Sequence, residues 1–335
     1  MKITICGGGS LGHVCLGVLS AQPDVEVCLL TRHPERWQPH VEVKDPDGKV
    51  YVSNIRLITD DAAVVIPGSD LVLFCLPGFA IEAELRNIQP YLDSQTVVGT
   101  IVSSTGFFFF AHQILGPKAK LFGFQRVPFI ARTTEYGQKA NLLGYKASLA
   151  VAIEHVSDAE TLRATIERLF MTPVSLLGSF YEVALTNSNP ILHTARLFTM
   201  WHDWAGQPYD HCLLFYKEWT VEAAQRLIDM DREFMALLHA LPMNPEAIPT
   251  LLDYYESVDA VSLCHKLQSI SAFQTIPAPM RPLPDGGWVP DFESRYFTED
   301  FPYGLRFVYD LAREHGVATP VIDEVYAWGI SKINQ

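Results

Sequence analysis

A doubly wound α/β domain followed by a mainly helical domain is what the 335-residue sequence predicts. Three features carry that expectation. Through the first half, short apolar runs alternate with segments of helix length, the pattern of strands covered on both faces by crossover helices. A glycine-rich motif stands directly after the first of these runs. From about Tyr181 the strand pattern gives way to long stretches of helical periodicity, so the domains are placed at residues 1–180 and 181–335. With 48% hydrophobic residues, the chain can bury more than one core, as its length also implies.

The expected strands are Ile3 to Cys6, Val25 to Leu30, Leu71 to Leu76, Thr96 to Val102, Lys120 to Phe124 and Ser148 to Ile153. Several are apolar on both faces, which predicts a parallel sheet. Gly7, Gly9 and Gly12 form Gly-x-Gly-x-x-Gly after the first strand, and Ser10 to Leu19 can continue as a helix. The first glycine permits a tight turn, the second lets the backbone approach a pyrophosphate, and the third allows close helix packing. Strand, glycines, helix and second strand in this order predict a Rossmann-type site. Its phosphate-binding candidates are Gly7, Gly9, Ser10, Leu11 and Gly12 at the positive end of the helix.

Which dinucleotide binds turns on the tip of the second strand. An NAD site usually places a carboxylate there, about 20 positions after the glycines, to take the ribose hydroxyls. This chain has Thr31 and Arg32 instead, which favours a 2′-phosphate and hence NADP, with NAD possible if Glu35 turns in toward the ribose. Pro77, after the strand Leu71 to Leu76, is expected to shape the wall near the cofactor, although a plain strand-ending turn reads the same way.

The formal net charge of −13 argues against general affinity for nucleic acid or anionic membrane. The six cysteines lie far apart without a Cys-x-x-Cys pair and read as buried, reduced thiols. No apolar run reaches the roughly 18 residues that indicate a membrane span, and the apolar N-terminus is too short for a signal peptide. A cytoplasmic protein, monomer or homodimer, is expected.

In the second half, Val221 to Leu241 and Ile248 to Leu267 have helical spacing, whereas five prolines and Gly286-Gly287 between Ile276 and Pro290 predict a surface loop. His193 follows Asn189 and Pro190 where a helix can begin, and such a histidine alone reads as a packing residue as readily as a catalyst. His202 and His211 continue a nine-residue spacing that puts neighbours on opposite helix faces, so no metal site is expected.

Several segments together resemble the octopine/nopaline dehydrogenase family. They are Gly178 to Trp201 with its Asn-Pro-x-x-His motif, Phe215 to Trp219, Asp229 to Glu233, and Arg295 to Leu305 with its Arg-x-x-x-Glu-Asp motif. In the first domain, Pro128 to Arg132 and Glu135 to Gly137 also resemble family segments. The stretch from Thr100 to Phe107 departs from the family in carrying serines and threonines where glycine is commoner.

The resemblance implies an enzyme that joins the amino group of an amino acid to a 2-oxo acid and reduces the imine with a nicotinamide cofactor. It implies His193 as the acid/base, Asp300 as the carboxylate that orients it, Arg295 as the holder of a substrate carboxylate, and Asn189 in support. The residue types suit that chemistry, because an imidazole exchanges protons near neutral pH, a carboxylate behind it fixes its tautomer, and a guanidinium clamps a carboxylate with two bonds. Two other readings share the nucleotide site. One is an NADP-dependent 2-oxo or 2-hydroxy acid reductase needing no amine; the other is a catalytically silent nucleotide-sensing protein.

Overall fold

The computed structural model describes residues 1–333. Tertiary contacts divide the chain into two units, Met1–Thr186 and Asn187–Gln335. The sequence pattern changes at about residue 180, but the helix Phe180–Ala184 belongs with the first unit. Its Phe180 ring lies 5.2 Å from Phe108, and the Glu182 carbonyl accepts from the Gln125 side chain at 3.3 Å.

Among the described residues of the first unit, eight strands form one sheet in the order Val174–Leu176, Leu149–Glu154, Leu121–Phe124, Val97–Thr100, Leu71–Phe74, Lys2–Cys6, Glu26–Leu30, Ile55–Thr59. The core strands are apolar because helices cover both faces; every residue of Leu71–Phe74 and Leu121–Phe124 is buried. All six expected strands are present. The sheet is not wholly parallel, however, since Leu149–Glu154 runs antiparallel to Leu121–Phe124. Parallel neighbours need a crossover connection, and the chain between these two strands instead makes the hairpin Phe129–Glu135 and Lys139–Tyr145.

That hairpin joins Glu42–Lys44 and Val50–Val52 in a second, four-stranded sheet packed on the helix Ser10–Ser20. Gly17 makes the contact possible, since a Cβ there would lie 2.5 Å from a Val43 methyl. Three-residue strands are too short to show a period, so this sheet left no clear trace in the sequence.

The second unit is helical, with a small hairpin. Asn189–Trp201 and Val221–Ala240 are its long early helices, and the latter starts where Thr220 accepts from the Ala223 amide. The expected helix from Ile248 to Leu267 is broken in two, Leu251–Tyr254 and Ala260–Ser269. Glu256 adopts φ 50°, outside helical geometry, and Asp259 with Ser262 forms a capping box that starts the second piece afresh. The expected proline-rich loop contains the antiparallel pair Met280–Pro282 and Trp288–Pro290, closed through Gly286 and Gly287 at φ 93° and 83°. Near the end of the chain, Arg295–Thr298 leads through the π-helical turn Phe301–Leu305 into Arg306–Glu314, and Pro320–Ile333 follows. Phe297, Phe301, Trp201 and Trp219 are fully buried in this unit. Among the described residues no helix is long and apolar enough to cross a membrane.

Candidate active site

In the first unit the strand order reverses at Lys2–Cys6, flanked by Glu26–Leu30 and Leu71–Phe74. A crevice of about 530 Å³ opens there, at the carboxyl ends of the strands where such sheets bind ligands. Gly7 sits at φ 113°, and a Cβ on it would lie 2.6 Å from the Cys75 carbonyl oxygen. A Cβ on Gly12 would lie 2.1 Å from the Gly7 carbonyl oxygen, so Gly12 serves helix packing. Gly9 differs from both: a Cβ there would meet nothing within 4 Å, and no side chain caps the helix that begins after it. Open space in front of uncapped helical amides is what a pyrophosphate requires, so these residues fit a dinucleotide.

Of the other expected cofactor residues, Thr31, Arg32 and Pro77 line the crevice, as do Gly7 and Gly9. Ser10, Leu11 and Gly12 do not, and the Ser10 hydroxyl is taken up by Thr133, 3.1 Å from its hydroxyl and 3.0 Å from its amide. Glu35 is turned to His33, 3.4 Å away on the surface, and is not part of the lining. Two carboxylates not foreseen from the sequence do line the crevice, Asp60 and Glu84. Burial pushes the Glu84 carboxyl up, against the opposing pull of the Asn87 hydrogen bond and the Arg32 charge.

His13 was also not foreseen. It is fully buried one turn into the helix, its Nδ1 2.9 Å from the Gly9 carbonyl, while its Nε2 accepts from the Gly137 amide at 2.7 Å. This network places the proton on Nδ1, and burial lowers the pKa of the ring. His13 thus ties the glycine loop to the turn of the Phe129–Tyr145 hairpin, packed 4.3 Å from Trp37.

The second unit brings together two of the residues that the family resemblance singled out. His193, in the helix Asn189–Trp201, has Nδ1 2.8 Å from Asp300 Oδ2, with side chains 12% and 20% exposed. Asp300 immediately precedes the π-helical turn, whose Leu305 amide donates to the Asp300 carbonyl at 2.7 Å. The close fit depends on Gly304, because a Cβ there would press within 2.7 Å of the Pro190 ring at the start of the histidine's helix. Neutral imidazole carries one N–H, and the Asp300 carboxylate draws it to Nδ1, leaving Nε2 as a lone-pair acceptor.

That Nε2 lies 3.0 Å from the Tyr216 hydroxyl, a partner the sequence named only as part of a family segment. Tyr216 is 6% exposed. Its ring stacks on Phe273 at 4.2 Å, and its segment is pinned by Arg196, whose guanidinium donates to the Phe215 carbonyl at 3.2 Å and the Glu218 carbonyl at 2.6 Å. Arg196 lies one turn beyond His193 on the same helix; burial pulls its pKa down to about 10, which still leaves it charged at neutral pH.

The other two expected residues stand differently. The Arg295 Nε donates to Glu299 at 2.8 Å and its side chain is 81% exposed, so its resting partner is the neighbouring carboxylate. Asn189 opens the helix, its amide donating to the Asn187 side chain at 3.2 Å. His202 stacks on Phe198, and His211 faces Glu218 at 3.4 Å. Among the described residues no group of three or more His, Cys, Asp or Glu could hold a metal ion.

Comparison with known proteins gives these units a context. Residues 176–333 match the family model for the α-helical domain of NAD/NADP octopine/nopaline dehydrogenases, and residues 3–105 match that of ketopantoate reductase PanE/ApbA. Octopine dehydrogenase of Pecten maximus is 30% identical, over 100% of this chain and 91% of its own length. The chain belongs to the octopine/nopaline dehydrogenase family. Solved structures of octopine dehydrogenase with NADH and L-arginine and with NADH and pyruvate superimpose with TM-scores of 0.88 and 0.86. Both are 28% identical, over 100% of this chain and 90% of theirs. As a member of this family the protein is an oxidoreductase of the opine dehydrogenase type, acting on the CH–NH group of donors with a nicotinamide nucleotide.

Proposed function

We propose that the protein condenses an amino acid with a 2-oxo acid and reduces the resulting imine, with His193 and Asp300 as the acid/base pair. The observation that carries this reading is the 2.8 Å contact between His193 Nδ1 and Asp300 Oδ2, which joins two family motifs more than a hundred residues apart. An imidazole so held takes a proton on Nε2 and passes its positive charge to the carboxylate behind it. In the synthetic direction it removes a proton from the attacking amine and returns one to the hydroxyl that leaves as water. The nicotinamide supplies the hydride.

Arg295 holds a substrate carboxylate in this reading. Only its Nε is committed to Glu299, which leaves the terminal nitrogens to form the paired bonds that a carboxylate accepts. Relatives crystallised with L-arginine and with pyruvate support an amino acid and a 2-oxo acid as the two reactants. Gly7, Gly9, Thr31, Arg32 and Pro77 bind the nucleotide. NADP is the preferred form, because Thr31 and Arg32 face the crevice while Glu35 does not. Asp60 is the group that would serve NAD instead. All six cysteines are free, which suits a reducing compartment, and we place the protein in the cytoplasm.

A matrix of amino acids against 2-oxo acids, followed by oxidation of NADPH and of NADH with amine-free controls, tests the reading. The expected result is oxidation that needs both reactants and a higher kcat/KM with NADPH. Oxidation by an oxo acid alone at the same rate would point to a simple 2-oxo acid reductase.

A further inference from the structure

The nitrogen of His193 that should meet the substrate already has a partner. An unprotonated ring nitrogen offers one lone pair, in the plane of the ring, and the Tyr216 hydroxyl at 3.0 Å uses it. Tyr216 has little freedom to leave. It is 6% exposed, stacks on Phe273 at 4.2 Å, lies nearly parallel to Trp219 at 5.9 Å, and rides on a segment fastened by Arg196. Gln268 adds a further tie, donating to the Trp219 carbonyl at 2.8 Å. The His193 ring is packed as well, 4.8 Å from Tyr296 and 5.6 Å from Phe215.

We propose that Tyr216 is a catalytic residue, its hydroxyl relaying the proton between His193 and the substrate. The inference rests on the assignment of His193 and Asp300 as the acid/base pair. In the forward step the substrate N–H bond breaks and its proton bonds to the Tyr216 oxygen. The Tyr216 O–H bond breaks together with it, and that proton bonds to His193 Nε2, giving an imidazolium held by the Asp300 carboxylate. In the return step Nε2 gives its proton to the Tyr216 oxygen, and the tyrosine's former proton passes to the hydroxyl that departs as water. The tyrosine is neutral before and after each transfer, and no electrons change hands. Burial raises the phenol well above its usual range, so a free phenolate is disfavoured and the two transfers run together. One helix sets the geometry, since His193 supplies the nitrogen and Arg196, a turn later, anchors the hydroxyl's segment.

The test compares Tyr216→Phe, His193→Ala and a protein with 3-fluorotyrosine at position 216, assayed in the reductive direction with the native protein as reference. The phenylalanine keeps the stacked ring and the fluorinated phenol keeps the hydrogen bond while changing its acidity. The relay predicts that Tyr216→Phe loses about 100-fold or more in kcat, in the range of general acid–base catalysis. It also predicts that fluorotyrosine shifts kcat by more than about threefold while nucleotide affinity stays native. Native kcat in Tyr216→Phe with His193→Ala inactive overturns the relay and leaves the acid/base pair standing. Native kcat with fluorotyrosine overturns it too, reducing Tyr216 to a residue that positions the ring. Native kcat in His193→Ala removes the pair itself.

Discussion

His193 shows how much a single side chain's meaning depends on what faces it. With Asp300 on one nitrogen and Tyr216 on the other, both ring nitrogens are committed, and the ring has a defined tautomer. His193→Ala and Asp300→Asn are each expected to lower kcat by about 100-fold or more, because general acid–base catalysis contributes about 10²–10⁴. Nucleotide dissociation constants, measured by fluorescence titration, should remain within about twofold of native, since neither residue lines the crevice of the first unit. The family resemblance, rather than the spacing of the residues, made Asp300 the expected partner of His193, and the two lie 2.8 Å apart. The Tyr216 contact to Nε2 was not legible, because nothing in Phe215-Tyr216-Lys217 distinguishes a tyrosine hydroxyl aimed at a histidine from one aimed at solvent. Arg295 marks the opposite limit, where the local pairing with Glu299 that the motif equally allows is the one seen at rest.

At the scale of elements, the turn after Asp300 is what delivers the carboxylate. A π-helical turn inserts one residue more than an α-helical turn, and such turns frequently occur at functional sites. Gly304 lets that turn seat against Pro190, so Gly304→Ala should force the turn and the histidine's helix apart. The expected outcome is a fall in kcat of about tenfold or more with nucleotide affinity unchanged, read in the same assays.

Asp231 is 6% exposed in the helix Val221–Ala240, and its carboxylate accepts from the Leu251 amide at 2.9 Å. Burial, helped by the Asp253 charge and opposed by that amide, raises its pKa from 3.8 to about 6. Between about pH 4 and pH 6 the native state therefore keeps a proton that the unfolded chain has lost, so stability falls as pH rises, and above pH 6 the full cost is present. Asp231→Asn should stabilise by on the order of 1–3 kcal/mol at pH 7.5 and by almost nothing at pH 4, visible as a pH-dependent difference in Tm. Short elements explain most of what the sequence concealed here. The strands Glu42–Lys44 and Val50–Val52 carry no measurable period, and the break between Tyr254 and Ala260 is set by a backbone turn and a cap inside an otherwise helical pattern.

For the whole molecule, the change from strand pattern to helical pattern along the chain could be read from periodicity because the two kinds of burial differ. Strands covered on both faces become continuous apolar runs, while helices packed on one side keep a three-and-four spacing. The direction of Leu149–Glu154, antiparallel to Leu121–Phe124, was not legible, since a largely apolar run does not record which way its neighbour points. The proposed reaction is tested by the mass of the product formed from nicotinamide nucleotide deuterated at the transferable position, using the amino acid and 2-oxo acid pair that turns over fastest. The expected product is a secondary amine whose mass is that of both reactants less one water plus one deuterium on the former oxo carbon and one proton on the nitrogen. A deuterated 2-hydroxy acid without the amino acid's nitrogen would contradict it.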